Sequence, residues 1–400
     1  MTTSSPTLPK LDSLVLDSDT HVVEPPDLWS KRLPANLRDS GPAVQWDEAR
    51  GLEAWYLDGE FLMPVGAPAS AGWHEHAPLF PRRWTDVAPH MYDPAKRLER
   101  MDADGIYAQV LYPNVAHFNS SSISHHEGAG LRSALMYAYN DYLTEFISAA
   151  PNRFIAITSI PFWDIEASIA EVKRCRDLGH RGIIMTQDPR RFGLPGLGSK
   201  HWDPLWAALQ DLDVSVNFHI GSNGVEDLLQ VDPEGGIHAN AVLGGVGLFM
   251  GNATTISTLI CGGVCHRFPK LKFVAVESGV GWIPFHLDIL DWQWMNCGVA
   301  KEHPEYELLP SEYFQRQIYS SFWFERSTLK FAIERLGTSN ILFETDFPHQ
   351  TCMFPGPASV AVAPQQYIQE TLGDVNAETR HKLLWKNAAD LYHIEYPAGV

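Results

Sequence analysis

Near the start of the chain, LVLDSDTHVVEPPDLW (residues 14–29) sets Asp17, Asp19, His21 and Glu24 within eight positions, directly after an apolar run. Carboxylates and imidazoles are the side chains that hold divalent cations and carry protons. Asp19 and His21 stand two apart, so an extended chain projects both to one side. The same residue types recur far along the chain: His219 in NFHIG, Glu277 in VAVESG, and Asp346 with His349 in ETDFPH. Together they form a hard-to-borderline donor set suited to Zn²⁺, Mn²⁺ or Fe²⁺. Asp346 and Glu277 are the carboxylates placed to take a proton beside such an ion.

Each residue also has a plain reading. A lone histidine at a strand end is usually a satisfied polar group, and Glu277 and Asp346 could cap the helices that follow. Coincidence favours the metal reading, because all of these residues fall where an apolar, strand-like run stops.

Those runs define the elements that must position the site. LVLDSD, GIYAQVLYP, RFIAITSIPF, RGIIMTQD, VSVNFHIG, LKFVAVESG, RQIYSSF and NILFETDFPH read as eight strands, most of them followed by a helical stretch. LRSALMYAYNDYLTEF carries apolar residues at helical spacing, Asp164 begins a helix that Gly179 closes, and Asp203-Pro204 begins another. Alternating strands and helices require parallel pairing with crossovers. Eight such units predict an α/β (β/α)₈ barrel over 1–400 as one domain, with Asp19 and His21 on the first strand, His219 ending the fifth, Glu277 the sixth and Asp346 the eighth. A doubly wound sheet is the rival, weakened because no GxGxxG follows the first strand.

Two regions break the alternation. Residues 24–100 are rich in Trp, Pro and Gly and include a hairpin signal, AWYLDGEFLMPV; residues 222–250 are Gly-rich and lack a clear period. Both follow strand C-termini, so in a barrel both are expected to cover the catalytic face, residues 24–100 as a lid. The tryptophans are mostly core material, but those near the insertions, Trp73 and Trp282 among them, could line an apolar substrate pocket with His349.

A formal charge of −18, from 48 acidic and 30 basic residues, argues against nucleic acid or anionic membranes as partners. The N-terminal MTTSSPTLPK has no secretory signature, and AVLGGVGLFM is too short and Gly-rich to span a bilayer. Five scattered cysteines suggest a reduced, cytoplasmic setting, with Cys261 and Cys265 as small buried helix residues. A small-molecule substrate is the expected partner, and a homo-oligomer is open.

The motifs DSDTHVVEPPDLW, DPAKRLERMDADGI, GHRGIIM, DPLWAALQDLDVSVNFHIG, FPKLKFVAVESGVGWIP and ETDFPH, ending in NAADLY, resemble the amidohydrolase-related family. Its aminocarboxymuconate-semialdehyde decarboxylase-like branch belongs to the metal-dependent amidohydrolase superfamily. The resemblance implies metal-binding roles for Asp19, His21, His219 and Asp346. Two departures stand out: Glu277 occupies the place of a catalytic histidine, and IIMTQD lacks the lysine that bridges two metals in binuclear members. Glu277 could serve as a base or as a ligand to a second ion, with Glu24 and His238 completing that ion's shell. VESGVGWIP is similar to a sub-branch that includes non-haem diiron monooxygenases acting on terpenoid thioesters. The implied activities, in order of preference, are hydrolysis by metal-activated water, diiron oxygenation and non-oxidative decarboxylation of aromatic acids.

Overall fold

The computed structural model describes residues 13–115, 129–222 and 232–397. The N-terminal stretch read above for a signal lies outside the described residues. Eight parallel strands run in the order β1 (Leu16–His21), β5 (Ala108–Tyr112), β6 (Phe154–Ser159), β7 (Gly182–Ile184), β8 (Ser215–His219), β9 (Phe273–Val276), β10 (Ile318–Phe322) and β11 (Ile341–Phe343). The ring closes just beyond β11, where the His21 N–H donates to the Phe347 carbonyl at 2.7 Å and the Asp346 N–H to the Asp19 carbonyl at 3.0 Å. This is a (β/α)₈ barrel.

Alternation along each strand divides the side chains into two sets. Leu16, Ala108, Val110, Ile155, Ile157, Ile184, Val274, Val276 and Leu342 fill the lumen with Trp385, Ala388 and Tyr392 from the C-terminal segment. Tyr107, just before β5, sits edge-on to Trp385 at 5.5 Å, so this segment closes the lower end. Phe154, Ala156, Val216, Phe218 and Phe273 point outward against the helices in the main core.

The helices start largely where their sequences say. Asp164 caps Ile165–Asp177 by accepting the Ala167 N–H at 2.9 Å. Asp203, expected as a cap, is instead the first residue of Asp203–Leu212, because a 3₁₀ turn at Lys200–Trp202 leads into it. Cys261 is exposed while Cys265 is buried, since a break at Gly262 and Gly263 separates their helices.

The first insertion folds into a three-stranded antiparallel sheet, β2 (Ala43–Asp47), β3 (Leu52–Leu57) and β4 (Glu60–Pro64). Asp58 and Gly59 join β3 to β4 with φ of 50° and 80°, the left-handed pair that a tight hairpin turn requires. Trp55 meets Trp29 edge-on at 5.0 Å, and both belong to the barrel's outer core. The second insertion contains a helix, Gly236–Phe249, where the sequence showed no period. Met250 interrupts it before Gly251–Cys261, and Ile237, Val242, Leu243, Val246 and Met250 are exposed.

Candidate metal centre

β1 reaches the mouth through an irregularity. Asp17 pairs with Gln109 and Thr20 with Leu111, so three steps on β1 match two on β5. A bulge of this kind re-aims the side chains beyond it. Leu16 and His21 differ in parity, yet both face the lumen: Leu16 lies in its apolar layer and the His21 Nε2 lies 3.1 Å from the His219 Nε2. Asp17 turns away and ties β1 to the last strand, accepting the Thr345 N–H at 2.9 Å and its hydroxyl at 2.6 Å. Burial pushes the Asp17 carboxyl up to about 8. Buried Arg97 holds the other side of the strand, donating to the His21 carbonyl at 2.6 Å and to Gln109 Oε1 at 3.1 Å.

His219 follows Asn217 at two-residue spacing on β8, whose amide oxygen accepts the hydroxyls of Tyr112 and Tyr392 within the lumen. Glu277 and Asp346 lie just past β9 and β11, each with φ of 57°. Non-glycine residues in this left-handed region are uncommon, and functional sites are where they gather. The turn there lets both carboxylates bend over the lumen. Glu344 sits two residues before Asp346 and accepts the Glu277 N–H at 3.2 Å.

The result is one compact constellation. Asp19 Oδ1 lies 3.6 Å from His21 Nε2 and 3.4 Å from His219 Nε2. Asp346 Oδ1 is 3.7 Å from His21 Nε2 and 2.8 Å from His349 Nδ1, while Glu277 Oε2 is 3.5 Å from His219 Nδ1. His349 stacks on His21 with ring centres 3.8 Å apart. Ligand atoms of Asp19, His21 and His219 lie within 4.8 Å of one another, as do those of His21, Asp346 and His349, and those of Asp19, Glu277 and Asp346.

Crowding of acids sets the electrostatics. Burial, reinforced by Asp19, pushes Glu277 up to about 8 although His219 opposes the shift. Burial and then Glu277 and Asp19 drive Asp346 well above the usual carboxylate range, and Glu344 follows for similar reasons. Burial works to lower His219, but Asp19 overrides it and holds the ring up at about 9. His21 is lowered by burial and by the neighbouring His349 and His219. Among the described residues, both oxygens of Asp19, both of Asp346 and Oε1 of Glu344 are buried without accepting a well-aimed hydrogen bond. Desolvated oxygens without donors are costly. A divalent cation fits this donor set, because it would satisfy those oxygens and relieve the negative charge.

The other expected site residues lie elsewhere. Glu24 stands one layer out, accepting the N–H groups of Asn114 and Val115 at 2.8 and 2.9 Å and the Asn114 amide at 3.2 Å. His238 is on the exposed helix Gly236–Phe249, with Nδ1 2.6 Å from the Ala77 carbonyl. The half-buried Trp73 donates to Glu75 at 3.2 Å, and Trp282 donates to the Ser278 carbonyl at 2.8 Å. None of these four joins the groupings above. Glu344 and Asn114 were missed by sequence reasoning; the spacing of Glu344 from Asp346 was a usable signal, whereas nothing marked Asn114.

A family model described as amidohydrolase matches residues 17–394, and the chain belongs to that family. The gamma-resorcylate decarboxylase of Polaromonas sp. (strain JS666 / ATCC BAA-500) is 25% identical over 320 residues, covering 78% of this chain and 91% of that protein. An amidohydrolase from Mycobacterium avium subsp. paratuberculosis K-10 superposes with a TM-score of 0.75 at 21% identity, covering 96% of this chain and 100% of that one. The 5-carboxyvanillate decarboxylase of Novosphingobium aromaticivorans DSM 12444, solved with manganese and 4-hydroxy-3-methoxy-5-nitrobenzoic acid, gives a TM-score of 0.64 at 18% identity over 96% of each chain. The protein is thus an enzyme of the amidohydrolase superfamily.

Proposed function

We propose that this enzyme is a metal-dependent decarboxylase of a small, largely apolar carboxylic acid, with Asp19, His21, His219 and Asp346 as metal ligands. The observation that carries metal dependence is the convergence, with two imidazoles, of buried carboxylate oxygens that accept no well-aimed hydrogen bond. The activity of the gamma-resorcylate relative supports the choice of bond, and the manganese of the carboxyvanillate neighbour supports Mn²⁺ as the first ion to try. A bound divalent ion would supply a grip on the substrate carboxylate and stabilise developing negative charge.

In the reaction the bond to the carboxylate carbon breaks, its electron pair stays on the substrate, and a proton replaces the departing carbon dioxide. Glu277 and Asp346 are the groups that hold and deliver that proton. Glu277 must carry a proton when substrate binds, because an ionised carboxylate would repel the incoming acid. Residues 24–100 act as a cover in this scheme; the Ser70 and Ala71 N–H groups both donate to the Pro348 carbonyl at 3.0 Å, beside Asp346. Trp29 and Trp55 are already buried, so closure should protect Trp46, Trp73 and Trp84 from acrylamide quenching on ligand binding. Unchanged quenching at saturating ligand would reduce the insertion to packing.

Hydrolysis is the second reading, favoured by one observation: two carboxylates, Glu277 and Asp346, flank the same ion position and either could take a proton from water. The deciding experiment loads the protein with Mn²⁺ or Zn²⁺ and offers hydroxybenzoic acids in parallel with esters, lactones and amides. Carbon dioxide release from the acids is expected. Acid release from the esters without carbon dioxide would favour hydrolysis, and two irons per chain with dioxygen uptake would favour oxygenation.

A further inference from the structure

The donors around Asn114 fix more than a loop. Its Nδ2 lies 3.0 Å from the Val22 carbonyl and 3.2 Å from Glu24 Oε2, both acceptors, so the amide cannot be flipped. Glu24 is buried and its other oxygen accepts the N–H groups of Asn114 and Val115, which pins the pair. Asn114 Oδ1 is therefore the atom that faces His349 Nε2, at 2.9 Å. A carbonyl oxygen accepts only, so Nε2 carries the hydrogen. In the neutral ring Nδ1 then presents an electron pair, and it lies 2.8 Å from Asp346 Oδ1 without the alignment of a hydrogen bond. A protonated Asp346 can face that electron pair in metal-free protein, but once Asp346 is ionised the two electron-pair donors repel unless a cation lies beside both.

We propose that Glu24 and Asn114 are positioning residues that hold His349 in its Nε2–H tautomer, making its Nδ1 a metal ligand alongside Asp346. The inference rests on the metal reading above and deepens it. It adds His349 to the donor set and gives Glu24 a role one layer behind the ion. A hydrogen bond to the far nitrogen is the usual way a protein fixes which nitrogen meets a metal.

The test uses the full chain, stripped of metal and reloaded with zinc alone, which keeps nuclear resonance spectra sharp. Ring nitrogen shifts of His349, assigned by comparison with His349→Phe, report which nitrogen is protonated without any turnover. The expected result is a protonated Nε2 and a bare, zinc-shifted Nδ1. Asn114→Ala should mix the tautomers and weaken zinc binding by about 10- to 100-fold; the backbone N–H to Glu24 remains in that variant. A ring protonated on both nitrogens, or bare at Nε2, in zinc-loaded protein would overturn the inference while leaving metal binding intact. Failure of the wild type to take up zinc would remove the metal reading as well. If Asn114→Ala proves unstable, the wild-type spectrum alone still decides.

Discussion

Two layers of the lumen share the same strands and differ in almost everything else. In the lower layer Leu16, Val274 and Leu342 meet Trp385 and Tyr392; a few residues further along, His21, Glu277 and Asp346 meet at the mouth. The lower layer removes apolar surface from water and stabilises the fold. The upper layer buries Asp19, Glu277, Glu344 and Asp346 close together, a destabilising arrangement that the proposed cation would relieve. The barrel thus keeps its stability and its chemistry at different heights, and substitutions should separate them.

The sharpest break is at the ligands. His21→Ala and Asp346→Ala are each expected to lose nearly all bound metal and activity while circular dichroism still reports a folded barrel. Full metal occupancy in both would remove the upper layer's assigned role. Glu277→Gln follows: a neutral amide is a poor ligand and cannot accept a proton at neutral pH. Turnover should fall by roughly 10²–10⁴-fold. Metal content then decides between roles, with half lost if Glu277 holds a second ion and none lost if it only moves protons.

In the lower layer the signature reverses. Leu342→Ala should lower stability by about 2–5 kcal/mol in denaturant titrations and leave metal stoichiometry unchanged. The smallest effect is on pH. In metal-free protein Glu277 has its folded value raised to about 8 from an ordinary 4.5, so the folded state holds the proton more tightly. Its contribution is therefore greatest below about 4.5 and is lost as pH rises through about 8. Melting temperature of the stripped protein should fall over that window, and the fall should flatten when metal is added. Identical slopes with and without metal would count against coupling between ion and carboxylates.

Much of this was legible in the chain because strand ends are legible. Asp19, His21, His219, Glu277 and Asp346 each follow an apolar run, and a barrel has one place to bring such ends together. The bulge in β1 was not legible, since its signal is a pairing register and not a residue type. Glu24 misled because closeness in sequence says nothing of where the chain turns after a strand; it turns to receive amides from the loop after β5. His238 misled because the uncharged stretch around it offers no polar face from which to predict a direction. The edge strand β2, only partly buried, lacks the apolar alternation that revealed β3 and β4.

The left-handed backbone at Glu277 and Asp346 has a bearing on how this enzyme would drift. A side chain held in that conformation costs about 1–2 kcal/mol, and glycine is free of most of that cost. Random change at these two positions can therefore give a chain that is sturdier and inert. Screens that reward only soluble, heat-resistant protein would collect Glu277→Gly and Asp346→Gly early. Where catalysis is under selection, the same two positions should resist replacement in spite of the thermal advantage, and that conflict marks them as functional more plainly than their chemistry alone.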